Sequence, residues 1–183
     1  MFQRIDFFLA LPALLLVIIG GVALSSVAPS AYPFHFIYLL VSILSFLLFA
    51  NLNLKILKDL SPILYIFCLM LLALTSIFGD SVRGSVRWID FGILTLQTSE
   101  IIKPFLLLFL SCVISSKINI LEIKSLNKFI FVFLLTLIPA LLVFFQPDLG
   151  STIVLFTGFF GAVFIGGLPT RTVILGTVGF FIL

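Results

Sequence analysis

The sequence predicts an all-α protein, a polytopic bundle of transmembrane helices with six complete spans and a truncated seventh. Three observations lead there. Of 183 residues, 62% are hydrophobic and 9% charged, where a soluble domain has about a quarter charged; the mean hydropathy is +1.41. Six apolar runs recur along the chain: Phe7–Val27, Phe34–Leu52, Pro62–Phe78, Glu100–Ser115, Phe129–Phe145 and Thr152–Leu168. The cations gather in alternate connections between these runs. A chain this poor in charge cannot cover a soluble surface, so lipid is its solvent, and its 23 Phe side chains suit that solvent. The net charge of +3 is small and scattered, which leaves no basic face for nucleic acid.

The first run is about 20 residues long, enough to cross a hydrocarbon core of roughly 30 Å, whereas the apolar part of a signal peptide is about 7–15 residues. With further spans behind it, it reads as a retained helix. The third run opens on Ser61-Pro62, an N-cap followed by proline at the first helical position. Pro139 lies inside the fifth run; it should kink the helix and leave a carbonyl for a neighbour to satisfy. In the sixth run Gly158, Ala162 and Gly166 recur every four residues, a stripe that lets another helix come close. A seventh run starts near Thr172 and ends at Leu183, about 12 residues where a span needs about 20. The chain is therefore expected to be one membrane domain, residues 1–183, cut from a longer protein.

Cys68 and Cys112 both fall in apolar runs, where a free cysteine acts as a small hydrophobe. With one histidine, His35, there is no zinc pattern, and no cofactor is evident. If the N-terminus is cytoplasmic, inside segments hold Arg4, Lys55, Lys58, Lys117, Lys124, Lys128 and Arg171, and the outside holds Arg83, Arg87 and Lys103. That asymmetry favours the assignment, because cytoplasmic connections carry the excess of Lys and Arg. The connections Ala28–Pro33, Gly79–Ser99 and Gln146–Gly150 then face outward.

Charge is concentrated between Gly79 and Lys103, a stretch holding the lone Trp and six of the seventeen charged residues. A solvated loop with Trp88 anchored at the interface explains Trp88 and Asp80. It does not explain Glu100 and Lys103 at the start of an apolar helix. Their i,i+3 spacing puts them on one face, and ionisable groups in a span usually face the protein interior at a working site. A purely structural ion pair is the plainer alternative. The second cluster is Gln146-Pro147-Asp148-Leu149-Gly150-Ser151, a tight turn in which Asp148 is placed to cap the sixth helix.

Taken together, Arg87-Trp88-Ile89, Gly92, Gln97-x-Ser99-Glu100-x-x-Lys103 and Gln146-Pro147-Asp148-Leu149-Gly150 resemble the signature blocks of the SEDS family (shape, elongation, division and sporulation; the RodA, FtsW and SpoVE type). The resemblance covers nearly the whole chain but about the first six of the family's ten helices. Thr98 stands where the family usually has proline.

The resemblance implies a peptidoglycan glycosyltransferase of the bacterial cytoplasmic membrane that polymerises lipid II, a disaccharide-peptide on undecaprenyl pyrophosphate. It places Arg87, Trp88, Gln97, Ser99, Glu100, Lys103, Gln146 and Asp148 at the substrate site. Arg87 is the first choice for the pyrophosphate, since arginine binds phosphate through paired donors. Asp148 is a cap first and a substrate contact second. The family's proposed catalytic carboxylate lies on a later loop, so the 183-residue chain alone is expected not to polymerise lipid II. The implied partner is a class B penicillin-binding protein transpeptidase, and a divalent cation can assist the pyrophosphate. Two rivals remain at this stage: a lipid-precursor flippase or transporter, and a non-catalytic scaffold for division or elongation proteins. Paired broken helices at mid-membrane would favour the flippase; the Glu100–Lys103 pair counts against the scaffold.

Overall fold

A computed structural model describes residues 7–30, 32–82, 85–90, 95–115 and 126–167. The described residues form six helices: α1 (Phe7–Val27), α2 (Tyr32–Asn51), α3 (Leu54–Phe78), α4 (Thr98–Ser115), α5 (Leu126–Phe145) and α6 (Leu149–Ile165). Between α3 and α4 run three short strands, β1 (Asp80–Val82), β2 (Ser85–Asp90) and β3 (Thr95–Gln97). α1 to α4 are each long and apolar enough to cross a membrane. α5 is 20 residues long and α6 17, or roughly 30 and 25 Å at about 1.5 Å per residue. The expected sixth run reached Leu168, and that residue and the seventh run lie outside the described residues, as do Arg4, Arg83, Gly92, Lys117, Lys124 and Arg171. The protein is a multi-pass membrane protein.

The chain forms two compact units: residues 1–56 with 92–94, and residues 57–91 with 95–183. In the first, α1 and α2 lie against each other. Gly21 permits that approach, because a Cβ there would stand 3.1 Å from the His35 ring nitrogen Nε2. α2 has no buried residue, as suits helices whose surroundings are acyl chains. Serines on these helices bond their own backbone: Ser25 Oγ donates to the Val22 carbonyl at 2.8 Å and Ser42 Oγ to that of Tyr38 at 2.8 Å. Such bonds satisfy hydroxyls where no water can.

The second unit holds the core. α3 buries a stripe of Ser61, Tyr65, Cys68, Leu72 and Thr75, spaced by three and four residues, so they share one face. α6 buries Ser151, Thr152, Leu155, Phe156, Phe159, Phe160 and Val163 on the same principle. Phe129 and Phe133 of α5 meet Phe156 and Phe159 of α6 with ring centroids 5.7–6.1 Å apart. The small-residue stripe serves in part for close packing. A Cβ on Gly158 would come within 2.8 Å of Leu107 Cδ2, so α4 approaches α6 there. Gly158, Ala162 and Gly166 all border a groove of about 650 Å³, with Leu107, Ser111 and Ile114 on the α4 side.

Two prolines are accommodated by hydroxyl donors. Ser61-Pro62 does not begin a helix, as the sequence reading expected; α3 starts at Leu54 and runs through both residues. Pro62 cannot bond the Lys58 carbonyl, and Ser61 Oγ donates to that carbonyl instead, at 2.8 Å. Pro139 likewise leaves the Leu135 carbonyl without its helical donor. The Tyr65 hydroxyl of α3 reaches across and donates to it at 2.6 Å. Tyr65→Phe should therefore cost about 1–2 kcal/mol, the penalty for stranding a buried acceptor. In a Pro139→Ala background, where an N–H returns to Leu135, the same change should cost almost nothing. A double-mutant cycle on thermal unfolding in detergent reads this; equal costs in both backgrounds would refute the pairing.

The connection between α3 and α4, read from sequence as a loop, contains a three-stranded antiparallel sheet in the order β1-β2-β3. In the central strand Trp88 stands opposite Asp80 on one side and Gln97 on the other. β3 runs directly into α4, from Gln97 to Thr98, so the sheet register fixes where α4 begins.

Candidate functional site

The candidate site is built at the ends of helices. After α5, the N–H groups of Gln146 and Asp148 both donate to the Val143 carbonyl, at 3.1 and 3.3 Å. This closes the turn that delivers Asp148 to the head of α6. There Asp148 is the N-cap, and its Oδ1 accepts from the Ser151 N–H at 3.1 Å. Its backbone carbonyl accepts from the Thr152 N–H at 3.1 Å and the Thr152 hydroxyl at 2.8 Å. The expected capping role is thus present in full.

The same carboxylate gathers three more elements. Its Oδ2 accepts from Ser99 Oγ of α4 at 3.1 Å and from Gln97 Nε2 of β3 at 3.3 Å. Arg87 Nη1 of β2 lies 3.5 Å from Oδ1. The Asp148 side chain is 7% exposed and that of Arg87 31%. Burial alone pushes the Asp148 pKa up. Hydrogen bonds from the Ser151 backbone and hydroxyl and from Ser99, together with the Arg87 charge, outweigh it and hold the group below the ordinary carboxylate value. Asp148 is therefore a fixed anion at neutral pH.

Of the eight residues singled out from sequence, the structure brings Arg87, Gln97, Ser99 and Asp148 into one cluster. Trp88 follows Arg87 on β2 and is half-buried. Gln146 turns away to α3, where its Nε2 donates to the Leu72 carbonyl and to Ser76 Oγ, both at 2.9 Å. Its Oε1 is buried with no hydrogen-bond partner among the described residues. Glu100 and Lys103 pair with each other, Nζ donating to Oε1 at 2.6 Å. The pair stands off the buried stripe of α4, with the Glu100 side chain 57% exposed and that of Lys103 20%. The expected ion pair forms, and Lys103 is its better-covered member.

Sequence reasoning gave no role to Ser151, Ser76 or Thr152. Ser151 carried a signal, since a residue three positions after an Asp N-cap is the usual donor to it. Thr98, in place of the proline usual for its block, is fully buried, and its hydroxyl has no hydrogen-bond partner among the described residues. It is also the first residue of α4, the position where proline fits a helix best. Thr98→Pro should stabilise the protein by about 1 kcal/mol, by removing a stranded hydroxyl and restricting the unfolded chain. A lowered melting temperature in detergent would show that the hydroxyl or the Thr98 N–H has a role.

Among the described residues no group of three or more His, Cys, Asp or Glu side chains is placed to hold a metal ion. What the cluster offers is one guanidinium, partly reachable and beside an aromatic residue, held over a buried carboxylate that is already well supplied with donors. Such an arrangement presents a positive charge that an anion can approach.

Residues 5–183 match the model of the FtsW/RodA/SpoVE family, described as cell cycle protein. The chain is 34% identical over 166 residues to the probable peptidoglycan glycosyltransferase FtsW of Haemophilus influenzae, covering 84% of this chain and 41% of that relative. It is 34% identical over 113 residues to the peptidoglycan glycosyltransferase MrdB of Escherichia coli, covering 62% and 30%. Among solved structures it is similar to the rod shape determining protein RodA of Thermus thermophilus, with a TM-score of 0.84 and 30% identity over 97% of this chain and 59% of that one. A chain of a peptidoglycan synthase complex that coordinates polymerization and crosslinking is equally similar, with a TM-score of 0.84, 30% identity and coverage of 98% and 53%. The chain spans 37% and 41% of the two first curated relatives.

Proposed function

Because the chain belongs to the FtsW/RodA/SpoVE family, we propose that it forms part of a lipid II polymerase, with its substrate phosphates at the Arg87 cluster. In this reaction a sugar hydroxyl attacks the anomeric carbon of a lipid-linked partner, and a lipid pyrophosphate departs. The step needs a base for the hydroxyl and positive charge for the leaving group. The observation that carries the reading is the convergence of Arg87, Gln97 and Ser99 on Asp148, which joins both sequence blocks in one place. Arg87 supplies the charge, and Trp88, next to it on β2, offers an aromatic surface for a sugar. The Lys103–Glu100 pair supplies a second cation close to the head of α4.

Asp148 is not the base in this scheme. A carboxylate with its pKa held down, and with donors on both oxygens, is a weak proton acceptor. The proton of the attacking hydroxyl goes to another group. A divalent cation would arrive on the pyrophosphate rather than on a protein cage. The proposed partner is a class B penicillin-binding protein transpeptidase, and the likeness to a chain of a peptidoglycan synthase complex supports it.

The chemistry further requires the cluster to face outward, where lipid II is consumed. With the N-terminus cytoplasmic, Ser85 and Gly150 should both be outside. In a background without Cys68 and Cys112, single cysteines at these positions should react with an impermeant maleimide in intact cells. Reaction at position 85 only after lysis would reverse the orientation. The activity is tested at the family's full length: the membrane protein, given fluorescent lipid II and its transpeptidase partner, should yield glycan strands on a gel. Transport of lipid II across vesicles without strand formation would favour the flippase reading instead.

A further inference from the structure

We propose that Trp88 and Gln97 recognise the acetamido group of an N-acetylated sugar. This rests on the proposed reading of the site as one for a sugar-bearing lipid and names the group on the sugar that is read. The two residues stand directly opposite each other on β2 and β3. Opposite residues of an antiparallel pair leave the sheet on the same face, with Cβ atoms about 4.5–5.5 Å apart. Both side chains are half-buried. Among the described residues the Trp88 Nε1–H makes no hydrogen bond, and the Gln97 side chain makes one, from Nε2 to Asp148 Oδ2 at 3.3 Å. Neither Trp88 Nε1 nor Gln97 Oε1 is a fully buried atom, so a ligand can reach both.

Asp148 fixes the polarity of the pair. An ionised carboxylate accepts and does not donate, so Gln97 must present its NH2 to Asp148, which leaves its carbonyl oxygen as an acceptor to be matched. An indole N–H donates only. The face therefore offers one donor, one acceptor and an aromatic surface. A secondary amide is the complement. Its C=O accepts from Trp88, its N–H donates to Gln97, and the acetyl methyl and the apolar face of the sugar ring lie on the indole. A free amine at the same carbon is an ammonium at neutral pH; it has donors only and leaves the Trp88 N–H unmatched. A site built to bond a group rejects the analogue that lacks it, because its own polar atoms are then stranded. A peptide amide carries the same donor and acceptor but is flanked by branched carbons rather than by a methyl and a flat ring. Interfacial anchoring accounts for a tryptophan at this place, but not for an acceptor held opposite it.

Trp88 is the chain's only tryptophan, so its fluorescence reports on this face alone. In the detergent-solubilised chain, N-acetylglucosamine should change the emission saturably, and glucosamine and glucose should not. The amide of N-acetylalanine tests the peptide source. A saturable response to it, with none to N-acetylglucosamine, would overturn the sugar assignment. No response to either would leave Trp88 an anchor and overturn the proposal.

A second measurement uses strand formation by the full-length protein, with lipid II whose sugars carry N-acetyl groups and with the same substrate bearing free amines. The acetylated form should be preferred in kcat/KM by about tenfold or more, from two neutral hydrogen bonds. Trp88→Phe keeps an aromatic ring and removes the N–H. It should lower kcat/KM about fivefold for the acetylated substrate, the loss of one such bond, and leave the amine substrate unchanged. Equal losses on both substrates would mean that the indole only packs, and would overturn the proposal while leaving the polymerase reading intact. Saturable binding of N-acetylglucosamine with no strands from either substrate would instead support the acetamido site and overturn the polymerase reading.

Discussion

Alanine at position 148 is expected to destabilise the protein by about 2–4 kcal/mol, a large change for one surface-proximal turn. The N-cap bond to Ser151 contributes about 1 kcal/mol. Removing the carboxylate also leaves the buried Ser99 hydroxyl and the Gln97 amide without their acceptor, at about 1–3 kcal/mol for stranded polar groups. Loss of the Arg87 contact adds little, because that guanidinium is a third exposed and can turn to water. The effects are not independent, since all pass through one carboxylate. Asp148→Asn should lose about 1 kcal/mol less, because it keeps the cap. Equilibrium unfolding in detergent decides the matter, and a loss below about 1 kcal/mol for alanine would mean that the network carries no load.

The same carboxylate gives stability a pH dependence of defined sign. Its pKa is lower in the folded protein than in the unfolded chain. The unfolded chain therefore binds the proton first as pH falls. The contribution of Asp148 is complete above the ordinary carboxylate value of about 3.9 and is lost as pH drops below it toward the folded pKa. Asp148→Asn should flatten the stability profile below about pH 4 and leave its slope near neutrality unchanged.

Much of the fold was legible because apolar runs need no partner to be recognised. The run Phe7–Val27 coincides with α1, and the runs ending at Phe78, Ser115 and Phe145 end where α3, α4 and α5 do. Helix starts were less legible. α3 begins at Leu54 rather than at Ser61 because a serine hydroxyl can stand in for the donor that Pro62 lacks, a side-chain substitution that composition does not reveal. The sheet was missed because its strands are only three, six and three residues long, and polar residues within them mimic a loop. The available signal was composition: Val86, Trp88 and Ile89 are residue types that favour strands.

The site divides in the same way. Asp148 as a cap follows from a local rule, and so does the i,i+3 pairing of Glu100 with Lys103. That Arg87, Gln97 and Ser99 meet at Asp148, about 50–60 positions along the chain, depends on the sheet register and on how α4 packs on α6. No spacing rule carries that information. Gln146 shows the converse: its block placed it with Asp148, yet its amide bonds the end of α3. It is a bundle tie, and its substitution should affect stability before substrate binding.

The largest functional effect is expected at Arg87. If the guanidinium stabilises the departing pyrophosphate, Arg87→Ala removes that charge when it matters most, and losses at such positions are of order 100-fold or more. Arg87→Lys restores a charge but not the planar fork, so it should recover part of the rate and not all of it. Neither change should unfold the protein, because Asp148 retains Ser151, Ser99 and Gln97. The measurement is the initial rate of glycan strand formation from fluorescent lipid II by the full-length protein with its transpeptidase partner, at matched membrane abundance. The account predicts a fall of about 100-fold for Arg87→Ala with partial recovery in Arg87→Lys. A wild-type rate in Arg87→Ala would contradict it.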